Sequence, residues 1–553
     1  MIPTRLRFMF DTRLTVSGIA DKALRYRRDT QIFRTDENLS RYDLACSGIT
    51  VARFVATSNR LSNLLAGLGV ARFDRVAVWK ANSLDIFLIG YATMRLGGIA
   101  VPINGGMEPR DLMAFLANVG AHILCTDRAG LRRLHAAGLA CPDTLDTILL
   151  VDDAEPATPD AIGRVAIVRL ADLWPEAGES FAPPRMADDQ DVLICHTSGT
   201  TGFPKGVLHC SKSLALAAQG QVRAQPVSAN NLAMSACWLN HHIMMTGCLA
   251  ALVAGVPLYV ATRLDPEHLL ATIARERVTI FFSFPDVYLT MIRAGLDRYD
   301  LSSMRLWMSG GDAMHEVHIR AFCAQGAFLR IAGRRVIGSA FCELLGTSEV
   351  GMVALMKTSF SGTRQFARCV GRRTLISPRV KVADAAGVPR SCGTVGRLMV
   401  KGPTVFKGYW NDHARIHGAV IDGWWWTGDL AYRDRAGRFY HVDREVDAVR
   451  TREGMIYGLP VEEEALKFPG VHEAVLFGGI DRDGDELPML LIQQVWGMQV
   501  DADAIRAFVE RRVPLVRPIA RVVLVDSDAD VPRGLTGKVL KRRLRQIYAV
   551  DAA

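Results

Sequence analysis

Thr197-Ser198-Gly199-Thr200-Thr201-Gly202-Phe203-Pro204-Lys205-Gly206 brings three glycines, four hydroxyls and one lysine into ten residues. The residues before it, Asp191-Val192-Leu193-Ile194-Cys195, read as a short, mostly apolar strand. A glycine-rich turn after a strand lets backbone N–H groups approach phosphate oxygens, because no Cβ stands in the way. The hydroxyls add donors, and Lys205 adds a point charge. The turn is therefore suited to a polyphosphate. It is not the Walker arrangement, which needs Gly-Lys-Ser/Thr opening a helix. Here Pro204 separates the glycines from Lys205, and Gly206-Val207 follow.

With 553 residues, 49% of them apolar and 22% charged, the composition is that of a globular chain of two or more domains. The net charge of +9 is moderate for this length. Basic residues gather late, at Arg511-Arg512, Arg517, Arg521 and Lys541-Arg542-Arg543. No nucleic-acid recognition pattern accompanies them, so an anionic small molecule or carrier is the expected partner and nucleic acid is not. The 11 cysteines form no C-x-x-C pair, which argues against a zinc site or a disulfide framework. A reducing, cytoplasmic setting is expected. The first residues lack an apolar signal core, and apolar runs such as 248–260 are too short to span a bilayer, so no transmembrane segment is expected.

Helix-like and strand-like segments alternate from residue 51 onward. The spacing predicts helices over 54–67 and 85–96 and strands over 75–79, 99–103, 121–127, 147–152 and 257–260. Such alternation predicts an α/β fold with parallel sheets. Between 380 and 429 short strands and turns predict a small β-rich subdomain. After 443 a compact α+β unit is expected, with helices over 461–466 and 502–511 and strands over 475–477 and 522–525.

The order TSGTTG-x-PKG resembles the signature loop of the adenylate-forming superfamily, which comprises acyl-CoA synthetases, luciferases and the adenylation domains of nonribosomal peptide synthetases. Further matches follow in order. Ser309-Gly310-Gly311-Asp312-Ala313 resembles the segment that borders adenine. Gly346-Thr347-Ser348-Glu349 resembles the second nucleotide segment, in which the Glu holds Mg²⁺ on the phosphates and a hydroxyl contacts the α-phosphate. Leu345 stands where many relatives carry an aromatic that stacks on adenine. Trp426-Thr427-Gly428-Asp429 resembles the segment whose Asp grips the ribose hydroxyls, and Val442-Asp443-Arg444 resembles the hinge whose Arg reaches ribose or phosphate. Two after that Arg stands Val446, where Asp or Lys usually serves as a pivot; the loop that follows, 452–462, also diverges. Pro532-Arg533-Gly534-Leu535-Thr536-Gly537-Lys538 resembles the closing motif, whose Lys bridges the acid's carboxylate and the α-phosphate.

The resemblance implies a large N-terminal domain, 1–442, of layered α/β subdomains plus a small β-rich one. A small mobile α+β domain, 443–553, would carry the catalytic Lys538. It implies ATP-dependent conversion of a carboxylic acid to an acyl-adenylate with release of pyrophosphate, using Mg²⁺ on Glu349. Transfer to a thiol would follow, with coenzyme A as acceptor or the phosphopantetheine of an acyl carrier protein. The nucleotide would be held by Thr197, Ser198, Gly199, Thr200, Thr201, Gly202, Lys205, Gly311, Asp312, Leu345, Gly346, Thr347, Ser348, Asp429 and Arg444. In the His241-His242 segment, His242 aligns beside the reacting carboxylate. Amino-acid-activating relatives place an Asp there; here Ile243, Met244 and Met245 follow, which predicts an acyl or aryl acid without an α-amine, a flexible, fatty acid-like chain fitting somewhat better than a rigid ring. The competing expectations are an enzyme that loads a carrier protein and a nucleotide-binding relative without turnover.

Overall fold

The computed structural model describes residues 2–152, 159–197, 204–224, 231–481, 484–534 and 538–548. Two large sheets dominate the first three quarters of the chain. One has nine strands, with Asp191–Thr197, Ile99–Asn104, Arg75–Lys80, Ile123–Thr126, Thr147–Leu150 and Val165–Arg169 adjacent and parallel. The other has eight and centres on the parallel strands Leu258–Val260, Ala233–Ala236, Ile280–Ser283, Leu306–Gly310 and Ala340–Gly346. Strands buried on both faces read as continuous apolar runs, and every residue of Ile99–Asn104 and of Leu306–Gly310 is buried.

The helices between the sheets are apolar around most of their circumference, as burial on all sides requires. Asp85–Leu96 is buried at every position but Leu96. It packs against Val51–Gly67, where Phe54, Phe87 and Tyr91 form a ring stack, with centroids 5.4 to 5.8 Å apart. His242–Ala254 joins the same core through Met244, Met245, Leu249 and Leu252.

Six strands between Cys369 and Arg444 form a mainly antiparallel sheet, the β-rich subdomain expected from the sequence. Its strand Phe439–Arg444 still pairs with Trp424–Arg433 at Asp443 and Arg444. The expected boundary at 442/443 therefore falls inside a strand, two residues before that strand ends. Beyond it, Val471–Ile480, Glu486–Gln494 and Arg521–Val525 make a separate three-stranded sheet, flanked by the helices Gly458–Ala465, Ala502–Glu510 and Lys541–Tyr548. This unit has its own core around Leu476, Leu490 and Ile505. The divergent loop at 452–462 is a two-stranded ribbon, Val449–Thr451 with Gly454–Ile456, running into the helix Gly458–Ala465. No helix among the described residues is long and apolar enough to cross a membrane.

Candidate active site

A parallel sheet exposes the loops at its C-terminal edge as a crevice. In the eight-stranded sheet the register places Ser283, Ser309 and Glu343 side by side, so the chain beyond each strand end opens on one cavity of about 470 Å³. Its walls include Phe282, Phe284, Gly310, Gly311, Asp312, Leu344 and the run Gly346–Glu349. The nine-stranded sheet contributes His196, Thr197 and Lys205; the six-stranded sheet contributes Trp425 to Gly428 and Arg444; the C-terminal unit contributes Lys538. Segments as far apart in sequence as His196 and Lys538 thus meet at one place, as the motif order implies.

Thr197 and Lys205 pair across the hairpin that presents the glycine-rich turn. Ser198, Gly199, Thr200, Thr201 and Gly202 lie outside the described residues. The Lys205 ammonium sits 5.3 Å from the centre of the Tyr409 ring. Tyr409 donates through its hydroxyl to Glu349 Oε1 at 2.9 Å, fixing a carboxylate that is buried yet faces the cavity. The Ser348 carbonyl accepts from His209 Nε2 at 2.8 Å, and Thr347 Oγ1 accepts from the N–H of Val350 at 3.3 Å. Among the described residues no three His, Cys, Asp or Glu side chains could hold a metal by themselves. A hard cation on Glu349 would therefore draw most of its oxygens from phosphate and water, as Mg²⁺ characteristically does.

Gly311 has φ +88°, and a Cβ there would stand 2.9 Å from the Phe284 ring, so only glycine lets this wall close. Asp312 Oδ1 lies 3.7 Å from Lys538 Nζ. Burial opposes ionisation of Asp312, but Lys538 and the N–H of Ala313 hold its carboxyl below the usual range. Asp429 follows the wall residue Gly428 but is buried and not itself among the lining residues, 3.6 Å from Arg444 Nε and 3.5 Å from His441 Nε2. Against its burial, these neighbours keep its carboxyl well below the ordinary carboxylate range. Leu345 is a correction. In the extended strand Ala340–Gly346 side chains alternate, so Leu344 and Gly346 face the cavity while Leu345 packs on the core of the six-stranded sheet.

His242 reaches the cavity as expected, and three further histidines surround it. His196 and His241 also line the wall, and the His209 ring lies 4.3 Å from that of His242. The His196 Nε2 accepts from the N–H of Asn104 at 2.9 Å. His241 meets Phe284 edge to face, with ring centres 5.0 Å apart. Burial pushes His196 down to about 3 and His209 and His241 to about 4, and His242 falls well below its usual value. All four are neutral at physiological pH. His196 and His209 belong to no motif; their only sequence signal is position, one beside the glycine-rich turn and one on the strand after it.

The linkage has a definite sign. These imidazoles bind protons more readily unfolded than folded, so stability rises with pH between their folded values and the ordinary 6.5. Lowering the pH from 6.5 toward 4 is expected to lower the melting temperature steadily, read by calorimetry. A flat profile across that window would mean the rings take up protons as readily folded as unfolded.

Two carboxylates dock the C-terminal unit. Glu463 accepts from His315 Nδ1 at 2.7 Å and from the N–H of Glu316 at 2.9 Å. Asp528 accepts from Arg293 Nη2 at 2.7 Å, while Arg293 Nε donates to His472 at 2.7 Å. Despite the burial that opposes it, His315 and Arg368 bring Glu463 down to about 2, and Arg293 does the same for Asp528. Removing both charges, Glu463→Gln with Asp528→Asn, is expected to slow adenylate formation by about tenfold, because the buried Glu463 bonds contribute on the order of 1.5 kcal/mol and the half-exposed Asp528 pair adds little. Acid-dependent exchange of pyrophosphate into ATP reads this; an unchanged rate would mean other contacts suffice to hold Lys538.

A cavity that gathers Lys205, Glu349, Arg444 and a lysine delivered from the C-terminal unit is the arrangement of an adenylate-forming enzyme. The AMP-binding enzyme family matches residues 36–410, and the chain belongs to that family. It is 30% identical to the 3-aminoavenalumate diazotase of a Streptomyces species, over 99% of this chain and 98% of that protein. It is 26% identical to the long-chain-fatty-acid–CoA ligase FadD13 of Mycobacterium tuberculosis, over 91% and 93%. The anthranilate CoA ligase AuaEII, solved with anthranoyl-AMP, superposes with a TM-score of 0.84 at 19% identity, covering 98% of both chains.

Proposed function

We propose that this chain activates an aromatic carboxylic acid as its acyl-adenylate and passes the acyl group to a thiol, that of coenzyme A. The observation that carries the reading is the aromatic and imidazole stretch of the cavity wall, Phe282, Phe284, His196, His241 and His242, whose histidines are neutral. Flat rings pack edge to face there, and an imidazole can give or take a hydrogen bond without a charge to balance. The methionines that suggested a fatty acid, Met244 and Met245, are buried in the core between the sheets and do not line the cavity.

The chemistry follows from charge. A carboxylate oxygen attacks the α-phosphorus of ATP, the bond to the β-phosphate oxygen breaks, and pyrophosphate leaves. Both reactants are anions, so positioning and electrostatics must supply most of the rate. Lys538 neutralises the repulsion between carboxylate and α-phosphate. Lys205 and Thr197 steady the departing phosphates. Mg²⁺ held by Glu349 would supply further positive charge to them. Asp429 accepts from the ribose diol, and Arg444 spans ribose and phosphate. The thiol sulfur then attacks the acyl carbonyl, AMP departs, and the thiol proton passes to solvent.

A second reading is favoured by the diazotase relative. The carboxylates among the lining residues, Asp312 and Glu349, already face the cations Lys538 and Lys205, so neither is spare as a counter-ion for an ammonium. An aryl amine, largely unprotonated at neutral pH, needs none. Diazotisation would join that amine to a nitrogen(III) oxyanion such as nitrite, whose oxygen must also be made a leaving group. The test is ATP-dependent pyrophosphate release with benzoates, cinnamates, their amino and hydroxy derivatives, and fatty acids, each with and without nitrite and coenzyme A. Release with aryl acids alone, and a thioester on adding coenzyme A, is the expected result. Release that requires nitrite would establish the second reading, and release with fatty acids only would overturn both.

A further inference from the structure

We propose that Arg415 is a second polyphosphate-binding cation, gripping the β- and γ-phosphates of ATP opposite Lys205. The inference rests on the adenylating reading above but on no particular acid. Arg415 belongs to no signature segment. It sits on the short helix His413–His417, directly after the strand Gly408–Tyr409.

Local packing fixes where it points. Gly408 has φ +152°, and a Cβ there would stand 2.4 Å from Ile416 Cδ1, so the helix is seated on the strand with no room between them. Asp412 holds Arg415 Nε at 2.6 Å, three residues away on the same turn. The guanidinium thus forms one wall of the cavity with Lys205, Tyr409 and Glu349.

The charges facing one another there are Lys205, Arg415 and Arg444 against Glu349 and Asp412. After burial, Arg415 is the main influence holding the Lys205 ammonium below its ordinary value, so the two cations repel across the cavity. Two like charges pressed together in a partly buried site are unfavourable unless a polyanion joins them. A triphosphate carrying Mg²⁺ on Glu349 meets that requirement. A guanidinium also matches a pair of phosphate oxygens bidentately, which an ammonium cannot.

AMP lacks the phosphates concerned, and this separates the inference from a structural role. Calorimetric titration of the whole chain with ATP–Mg²⁺ and with AMP is the experiment, on wild type, Arg415→Ala and Arg415→Lys. Arg415→Ala is expected to weaken ATP about tenfold or more while AMP is unchanged, from the usual worth of a charged hydrogen bond. Arg415→Lys restores part of the loss, and the pyrophosphate KM in the exchange reaction rises in parallel with the ATP Kd. Unchanged ATP affinity, or an equal loss for ATP and AMP, would overturn the assignment. Wild type that binds AMP and ATP not at all would instead overturn the adenylating reading and this inference with it.

Discussion

Lys538→Ala is expected to slow adenylate formation by about a hundredfold or more, the usual cost of deleting one preorganised charge from an anionic transition state. The ammonium is 3.7 Å from Asp312 and lines the same cavity as Lys205 and Gly428. Its contribution is made where carboxylate and α-phosphate converge, so ATP and AMP should bind the variant nearly as tightly as wild type. Thioester formation from presented acyl-adenylate should be spared, because no anion then attacks another at phosphorus. The two half-reactions, measured separately, check this. Equal losses in both would make Lys538 a structural residue, and no loss in either would remove it from the site. The neighbouring Lys541 has a different task. It donates to Glu462 at 2.8 Å and faces Asp443 at 4.0 Å, tying the helix Lys541–Tyr548 to the hinge strand.

The layered sheets and the main motifs were legible because they depend on short-range pattern. Strand and helix spacing, glycine-rich turns and the order of segments survive in a linear text, and each of the expected strands from 75 to 260 is present. What the sequence did not show depends on direction. Leu345 and Leu344 are equally apolar neighbours, and only the pleat decides which of them faces the cavity. Met244 and Met245 follow His242 in sequence, but on a helix buried on nearly all sides they turn into the core. His196 and Arg415 come from a strand and a short helix far apart in sequence, and only folding brings them to the wall, with His209 packed behind His242. A lone histidine between apolar residues is ordinary core in most chains, so His196 and His209 leave no trace in spacing beside the visible His241-His242 pair.

Asp429→Ala is expected to weaken ATP and AMP alike by about a hundredfold or more, since two charge-assisted hydrogen bonds to the ribose diol vanish together. The variant also strands the Arg444 guanidinium beside the cavity with its nearest carboxylate gone, 3.6 Å away in wild type. Removing one partner of a half-buried ion pair costs more than the pair itself contributes. Asp429→Asn, which keeps one acceptor oxygen and the shape, should retain part of the affinity. The pH dependence follows the same logic. A carboxylate held well below 3.8 in the fold contributes stability at every pH above 3.8, and that contribution fades as the pH falls further toward its folded value. The alanine variant should therefore lose melting temperature at neutral pH and approach wild type in strong acid. Nucleotide titration discriminates among the three positions by mechanism: Asp429 governs every adenine nucleotide, Arg415 only those with a polyphosphate tail, and Lys538 the rate and not the binding. AMP affinity unchanged in Asp429→Ala would mean that the ribose is held elsewhere, and would move the nucleotide out of the orientation on which all three roles depend.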